Sequence, residues 1–355
     1  MRSHMKSLGM KLTNGTGLFL LALCVIAATA QSTTPSAAPS TTQQPAQQAG
    51  GTPAAQQQNS GEAKPASSDD SPAQDPVTTI RTGTNEVNVV FTVTDKRGRR
   101  ITDMKQNDFR VVDDNKPPQE IRSFHAETNL PLQVGLLVDA SNSVRDRFKF
   151  EQESAIEFLN QTIHPHRDYA FVVGFDVTPE VTQDFTDNTE LLAHGVRELH
   201  PGGGTALYDA LYYACRERLL KAPKNETVRR AIILLSDGDD NQSHVTREEA
   251  IEMAQRAEAV VYTISTNVSG TKGAGDKVLD RIADATGGRP FHPFQIRDVA
   301  NAFAEIQEEL RSQYAVSYKP ADFKSDGHYR TIEIEANDRK NFRVRARRGY
   351  YAPAQ

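Results

Sequence analysis

Leu132-Gln133-Val134-Gly135-Leu136-Leu137-Val138-Asp139-Ala140-Ser141-Asn142-Ser143 is the stretch on which the fold turns. From Leu132 to Val138 the run is almost continuously apolar, as strands covered on both faces are. It ends in three oxygen-bearing side chains, Asp139, Ser141 and Ser143, at alternating positions. Leaving a strand end, these three can point into one small volume with no helix to place them. Hard cations such as Mg²⁺ take oxygen ligands near octahedral geometry, with room for waters and a ligand's own acid group. One carboxylate and two hydroxyls meet that requirement.

Outward from this stretch, apolar strands alternate with amphipathic helices, the rhythm of a parallel sheet. Phe148 to Ile163 has helical spacing at Phe150, Ser154, Ile156, Phe158 and Leu159. Strands are expected at Tyr169 to Phe175, Glu180 to Phe185, Ala231 to Leu235, Val260 to Ile264 and Arg289 to His292. Helices are expected at Leu191 to Leu199, Ala206 to Leu220, Arg247 to Ala259, Lys277 to Thr286 and Ile296 to Arg311. The fold class is therefore α/β, a Rossmann-like doubly wound and mainly parallel sheet. Ligands of such sheets collect at the carboxyl ends of the strands. That directs attention to the loops after Val138, Phe175, Leu235 and Ile264 and to Gly202-Gly203-Gly204.

All-β pieces flank this core. Upstream, strands are expected at Val87 to Val93, Phe109 to Val112 and Gln119 to His125. Downstream come Tyr314 to Tyr318 and a hairpin through Asn337 and Asp338 that would set Glu333 and Glu335 opposite Arg343, Arg345, Arg347 and Arg348. Each piece alone is near the size at which a chain without disulfides or metal fails to stabilise itself. The two are expected to combine into one small β-sandwich.

The N-terminus reads differently. Arg2, Lys6 and Lys11 precede an apolar run from Gly17 to Ala30, and Ala28-Thr29-Ala30 has the small-x-small pattern of a cleavage site. Residues 1–30 are expected to be an export signal, its apolar run too short to span a bilayer as a helix. Membrane contact is expected only if that signal stays uncleaved. Leu23 before Cys24 departs from the small residue a lipidation signal carries. From 31 to 78 the chain is rich in Gln, Ala, Pro, Ser and Thr, a composition that cannot bury enough surface to order itself. The domain plan is then a tether at 31–78, a β segment at 79–128, the α/β core at 131–311 and a β segment at 312–355. The expected location is exported, periplasmic or extracellular.

Cys215 is the one cysteine after Ala30, so no intramolecular disulfide is available to the mature chain. Its apolar helical setting suits a buried inert thiol. The formal net charge of -5 over 355 residues, with acids and bases interspersed, gives no electrostatic footprint for nucleic acid.

Three motifs in order, D-x-S-x-S at Asp139 to Ser143, Gly-Gly-Thr at Gly203 to Thr205 and Ser-Asp-Gly at Ser236 to Gly238, resemble the metal-ion-dependent adhesion site of von Willebrand factor A domains. The likeness covers about half the chain. The flanking β segments and export signal also resemble bacterial exported proteins of that group. The resemblance implies that Ser141 and Ser143 coordinate a cation directly, Thr205 directly in at least one conformation, and Asp139 and Asp237 largely through water. The expected cation is Mg²⁺ or Mn²⁺, with Ca²⁺ less favoured. A shell with few direct carboxylates keeps residual positive charge, so an acidic side chain of a protein partner can complete it. Asp, Ser and Gly are also ordinary turn formers, which explains one such cluster but poorly explains three in register.

The functional expectation is binding or adhesion and no catalysis. The phosphatase signature D-x-D fails at Ser141, where a second carboxylate would serve as general acid. The triple glycine lacks the Gly-Lys of a phosphate loop, and nucleophile-elbow, paired-histidine and dithiol motifs are absent. The alternatives are an assembly module of envelope or secretion machinery whose metal site is inert and, less favoured, a metal-dependent hydrolase. Partner specificity is expected from a rim that includes Asn142, Asp176, Asp239, Asp240 and Lys272, with the glycine-containing loop 267–276 free to move.

Overall fold

The computed structural model describes residues 86–127, 130–223, 228–267, 269–293, 295–338 and 340–353. The expected export signal and tether lie outside the described residues. In chain order the elements are β1 (Val87–Asp95), β2 (Phe109–Asp113), β3 (Glu120–Glu127), β4 (Leu132–Asp139), α1 (Phe148–Thr162), β5 (Tyr169–Phe175) and β6 (Pro179–Thr186). They continue with α2 (Thr189–Arg197), α3 (Leu207–Tyr213), β7 (Arg229–Ser236), α4 (Arg247–Arg256), β8 (Ala259–Ser265), α5 (Ala274–Thr286) and β9 (Pro290–Phe291). The last are α6 (Ile296–Leu310), β10 (Gln313–Lys319), β11 (Tyr329–Ala336), β12 (Phe342–Ala346) and β13 (Gly349–Tyr351).

The central sheet has the order β6-β5-β4-β7-β8-β9. It is parallel except at the edge, where β6 runs antiparallel to β5. Every residue of β4 is buried, because helices cover both faces of the sheet. Val134, Leu136 and Val138 pack with Phe158, Leu159, Leu192, Phe303 and Ile306 of α1, α2 and α6. Leu137, Phe171 and Val173 face Leu207, Leu211, Ala254 and Leu279 of α3, α4 and α5. Each fully buried aliphatic side chain contributes about 1.5–3 kcal/mol, so this two-sided core supplies the stability that no disulfide provides. Cys215 lies in a π-helical stretch, Ala214–Leu219, that continues α3. Complete burial pushes its thiol pKa upward, as an inert side chain requires.

The flanking strands form two antiparallel sheets, β12-β1-β10-β3 and β13-β11-β2. Their inner faces share one core of Val89, Phe91, Val93, Val111, Tyr314, Val316, Ile332, Ile334 and Tyr350. β1 pairs with β10 and β12, and β2 with β11, so strands from both ends of the chain complete one sandwich. Buried Asp113 accepts hydrogen bonds from Tyr318 (2.7 Å) and Tyr350 (3.1 Å), tying the two sheets together.

The expected charge-paired hairpin is corrected. β11 pairs with β2 and β13, whereas β12 pairs with β1, so the chain crosses from one sheet to the other through Asn337 and Asp338. Alternation on both segments reflects two apolar faces turned toward each other, Ile332 and Ile334 on one sheet and Val344 on the other. The arginines are partnered elsewhere: Arg345 with Glu309 of α6, Arg347 with the Asn88 carbonyl at 2.7 Å, and Arg348 with Asp284 at 3.3 Å.

The central domain joins the sandwich at the amino edge of the parallel strands. Asp168, fully buried, accepts from the backbone N–H groups of Leu132 (2.9 Å) and His164 (3.0 Å) and pairs with Arg311. Arg311 also donates to the Leu130 carbonyl at 3.4 Å. Only Arg311 and Ser312 separate α6 from β10. Among the described residues no helix is long and apolar enough to cross a membrane.

Candidate metal centre

β4 lies between β5 and β7. The chain leaves β4 toward β5 and later returns on the other side as β7, so the strand order reverses there and a crevice opens beyond the carboxyl ends. Asp139 ends β4, and Ser236 ends β7 next to Asp237. Sheet geometry therefore brings together residues 97 and 98 positions apart.

The Asp139 carboxylate is 0% exposed. One oxygen accepts from the Ser141 backbone N–H at 2.9 Å, and the other from the Ser236 hydroxyl at 2.6 Å. The Ser236 oxygen in turn accepts from the Gly238 N–H at 3.0 Å. Burial raises the Asp139 pKa above the ordinary range and the Asp237 charge adds to this, while hydrogen bonds from Ser141 and Ser236 oppose it. Above it the Ser141 and Ser143 hydroxyls lie 2.9 Å apart, and Ser143 donates to Asp237 at 2.8 Å. Ser141 is buried and Ser143 exposed, so the row of oxygens runs from the protein interior to solvent.

Thr205 comes in on the glycine loop. Gly202 N–H donates to the Ala140 carbonyl at 2.6 Å, and the Asn142 amide to the Gly203 carbonyl at 3.3 Å. Arg145 bridges the Asn142 side chain (2.9 Å) and the Pro201 carbonyl (3.1 Å). Thr205 is buried; among the described residues its backbone, rather than its hydroxyl, makes the hydrogen bonds, with Asn241 and Gln242. Gly203 has φ +60°, and a Cβ there would lie 2.8 Å from Val177 and 2.9 Å from an Asp176 oxygen. The glycines thus serve close loop packing, not a phosphate cradle.

The expected rim is only partly free. Asn142 and Asp239 are exposed. Asp240 turns inward, accepting from the Tyr208 N–H at 3.0 Å and from the Ser243 hydroxyl at 2.6 Å, and so holds the start of α3. Asp176 accepts from the Thr178 N–H at 3.3 Å. Lys272 pairs with Asp280 at 3.1 Å. At the two ends of the glycine-containing loop, Asp276 accepts from the Asn267 amide at 2.8 Å and the Gly273 N–H at 2.7 Å.

Two residues were not singled out by the sequence reasoning. Ser236 falls inside the Ser-Asp-Gly motif but reveals its role only through the 2.6 Å bond to Asp139. Glu151, in the first turn of α1, is 1% exposed. It shares a helix face with Phe148, Ser154, Ala155, Phe158 and Thr162, and an acid on an otherwise buried face was the available signal.

The donor set suits a small hard cation. It offers only oxygens, hydroxyl and carboxylate, with one open side. Among the described residues no group of three or more His, Cys, Asp and Glu is placed to hold a metal. The two carboxylates at this edge, Asp139 and Asp237, are instead accompanied by the Ser141 and Ser143 hydroxyls.

Residues 134–239 match the family model of the von Willebrand factor type A domain. A curated relative, calcium-activated chloride channel regulator 1 of Bos taurus, is 27% identical over 216 residues, covering 58% of this chain and 22% of that protein. The chain therefore spans about a fifth of that relative's length. Similar solved structures include proximal thread matrix protein 1 from the mussel byssus, with TM-score 0.45, 16% identity, and coverage of 64% of this chain and 50% of that one. A form of the same protein has a zinc-occupied MIDAS motif, with TM-score 0.46, 17% identity and coverage of 56% and 50%. The vWF domain of the type V pili tip protein Mfa5 from Porphyromonas gingivalis gives TM-score 0.43, 17% identity and coverage of 51% and 95%. The matched residues 134–239 hold β4, the glycine loop and the end of β7, which meet at one edge of the sheet, so this segment is similar to the von Willebrand factor type A domain.

Proposed function

We propose that this protein is an exported binding or adhesion protein that holds one divalent cation with Asp139, Ser141, Ser143, Thr205 and Asp237. An acidic group of a protein partner completes the coordination. The observation that carries this reading is the continuous row of oxygens from buried Asp139 through Ser141 and Ser143 to Asp237, open to solvent at one end. Hydroxyls neutralise little of a cation's charge, so the open position attracts a carboxylate. Mg²⁺ and Mn²⁺ both suit oxygen shells. Asp239, exposed beside the row, is the rim position best placed to meet a partner.

The test is titration calorimetry with Mg²⁺ and with Mn²⁺, run beside thermal denaturation in each ion and in chelator. A ligand of the folded state alone raises the melting temperature. Binding in the wild type that is lost in Asp139→Ala is the expected result. No heat and no shift at millimolar ion would leave the inert assembly module as the better account. Phosphatase or esterase turnover abolished by Asp139→Ala would replace binding with catalysis.

A further inference from the structure

A cavity of about 620 Å³ lies between the sandwich and the central domain. One wall is the outer face of β1, β3 and β10, with Asn88, Val90 and Ala315; the other is the amino ends of β7 and β8, with Arg230, Ala259 and Val260. Its size is that of a small-molecule site, and such sites collect where two bodies meet. Each wall contributes a guanidinium, and the two converge on the turn from α4 to β8. Arg230 donates to the Ala257 carbonyl at 3.2 Å, and Arg347, which follows β12, lies 3.8 Å from the Glu258 carboxylate. Arg347 also donates through Nη2 to the Asn88 carbonyl at 2.7 Å. Only 10% of its side chain is exposed, yet among the described residues its buried Nε has no hydrogen-bond partner, a costly state for a charged donor. Glu258 takes φ +53°, a left-handed backbone that costs any residue bearing a Cβ, and strain of this kind gathers at ligand sites. Along the lining, Arg229, Arg230 and Arg347 outnumber Glu86 and Glu258 by one.

We propose that this cavity binds a small organic carboxylate, its acid group meeting Arg347 and Arg230 and its apolar body lying along Val90, Ala259, Val260 and Ala315. The planar fork of an arginine matches a carboxylate, and one negative charge balances the lining. Touching both walls, such a ligand fastens the sandwich to the central domain. The cavity lies at the amino edge of the parallel sheet, opposite the oxygen row, so the proposal is independent of the cation reading.

The experiment follows the melting temperature in millimolar octanoate, octanol and inorganic phosphate, and octanoate affinity by calorimetry, for the wild-type chain, Arg347→Gln, Ala315→Ile and Arg348→Gln. A ligand of the folded state raises the melting temperature. Octanoate is expected to do so in wild type, whereas octanol, of equal chain length without the charge, is not. Arg347→Gln is expected to bind octanoate about 10-fold or more weakly. Ala315→Ile fills the cavity while removing no charge and is expected to abolish binding, which keeps the test open should Arg347→Gln fail to fold. Arg348→Gln, whose partner Asp284 lies outside the lining, is expected to bind as wild type does. No shift with octanoate, an equal shift with octanol, or undiminished binding in Arg347→Gln or Ala315→Ile would overturn the proposal. A shift with phosphate alone would overturn the carboxylate assignment.

Discussion

The Ser236 hydroxyl donates to the buried Asp139 carboxylate at 2.6 Å, joining the ends of two neighbouring parallel strands. Ser236→Ala would strip one Asp139 oxygen of its donor and leave the Gly238 N–H without its 3.0 Å acceptor. A buried polar group left unsatisfied costs about 1–3 kcal/mol. Urea denaturation in chelator should show a loss of that size, with weaker Mg²⁺ binding. Full stability in the variant would mean that water replaces the hydroxyl.

Gly238 has φ +83°, and a Cβ there would lie 2.2 Å from the Gly275 carbonyl oxygen, a backbone atom that cannot swing aside. Gly98 has nearly the same φ, +79°, with nothing within 4 Å. Gly98→Ala should therefore cost only the conformational strain, about 1–3 kcal/mol, and leave ion binding unchanged. Gly238→Ala should cost more and displace Asp237. Equal melting temperatures for the two variants would rule out the backbone clash as the cause.

Glu151 carries a pH signature. Its folded-state pKa of about 8 exceeds the ordinary 4.5, so between these values the ion-free folded chain holds a proton that the unfolded chain has released. Its contribution to stability thus falls as pH rises from 4.5 to 8, by at most about 1.4 kcal/mol per unit. Melting of Glu151→Gln and wild type in chelator should nearly coincide at pH 5 and diverge in favour of the variant by pH 8. Parallel curves would mean that the Glu151 carboxyl does not release its proton in this range.

Asp168 behaves in the opposite sense. Burial alone would raise its pKa, but hydrogen bonds from Arg311 and from the Leu132 and His164 amides outweigh burial and hold it below the ordinary 3.8. Its contribution is present above that value and fades as pH falls through the depressed one. Asp168→Asn should destabilise the chain at pH 7 by a few kcal/mol, about 3–5 for a broken buried pair, and by less at pH 3. A loss that does not vary with pH would assign the effect to packing.

How much of this was legible beforehand depended on the kind of signal. β4 could be read because a strand buried on both faces must be apolar throughout, and D-x-S-x-S could be read because its oxygens are neighbours in sequence. The alternation in Ile332-Glu333-Ile334 and Phe342-Arg343-Val344 showed which side chains turn inward, but period alone does not say which sheet receives them. Tyr169 to Phe175 was legible as a strand, yet the antiparallel direction of β6 beside it depends on the length of the turn between them. Glu151 escaped notice although it shares the buried face of α1 with Phe148, Ala155 and Phe158. Lys272 was placed on the rim by position, whereas its partner Asp280 comes from α5.

The sandwich takes strands from before and after the central domain, and Leu130 and Arg311 meet at the amino edge of the sheet, away from the oxygen row. The central domain is in effect an insertion, fastened at both of its ends to one body. A pull applied at the metal edge would therefore divide between two covalent crossings in parallel. The strands that lead into and out of the domain, β3 and β10, are hydrogen-bonded to each other along their length, so traction would load one shared ladder.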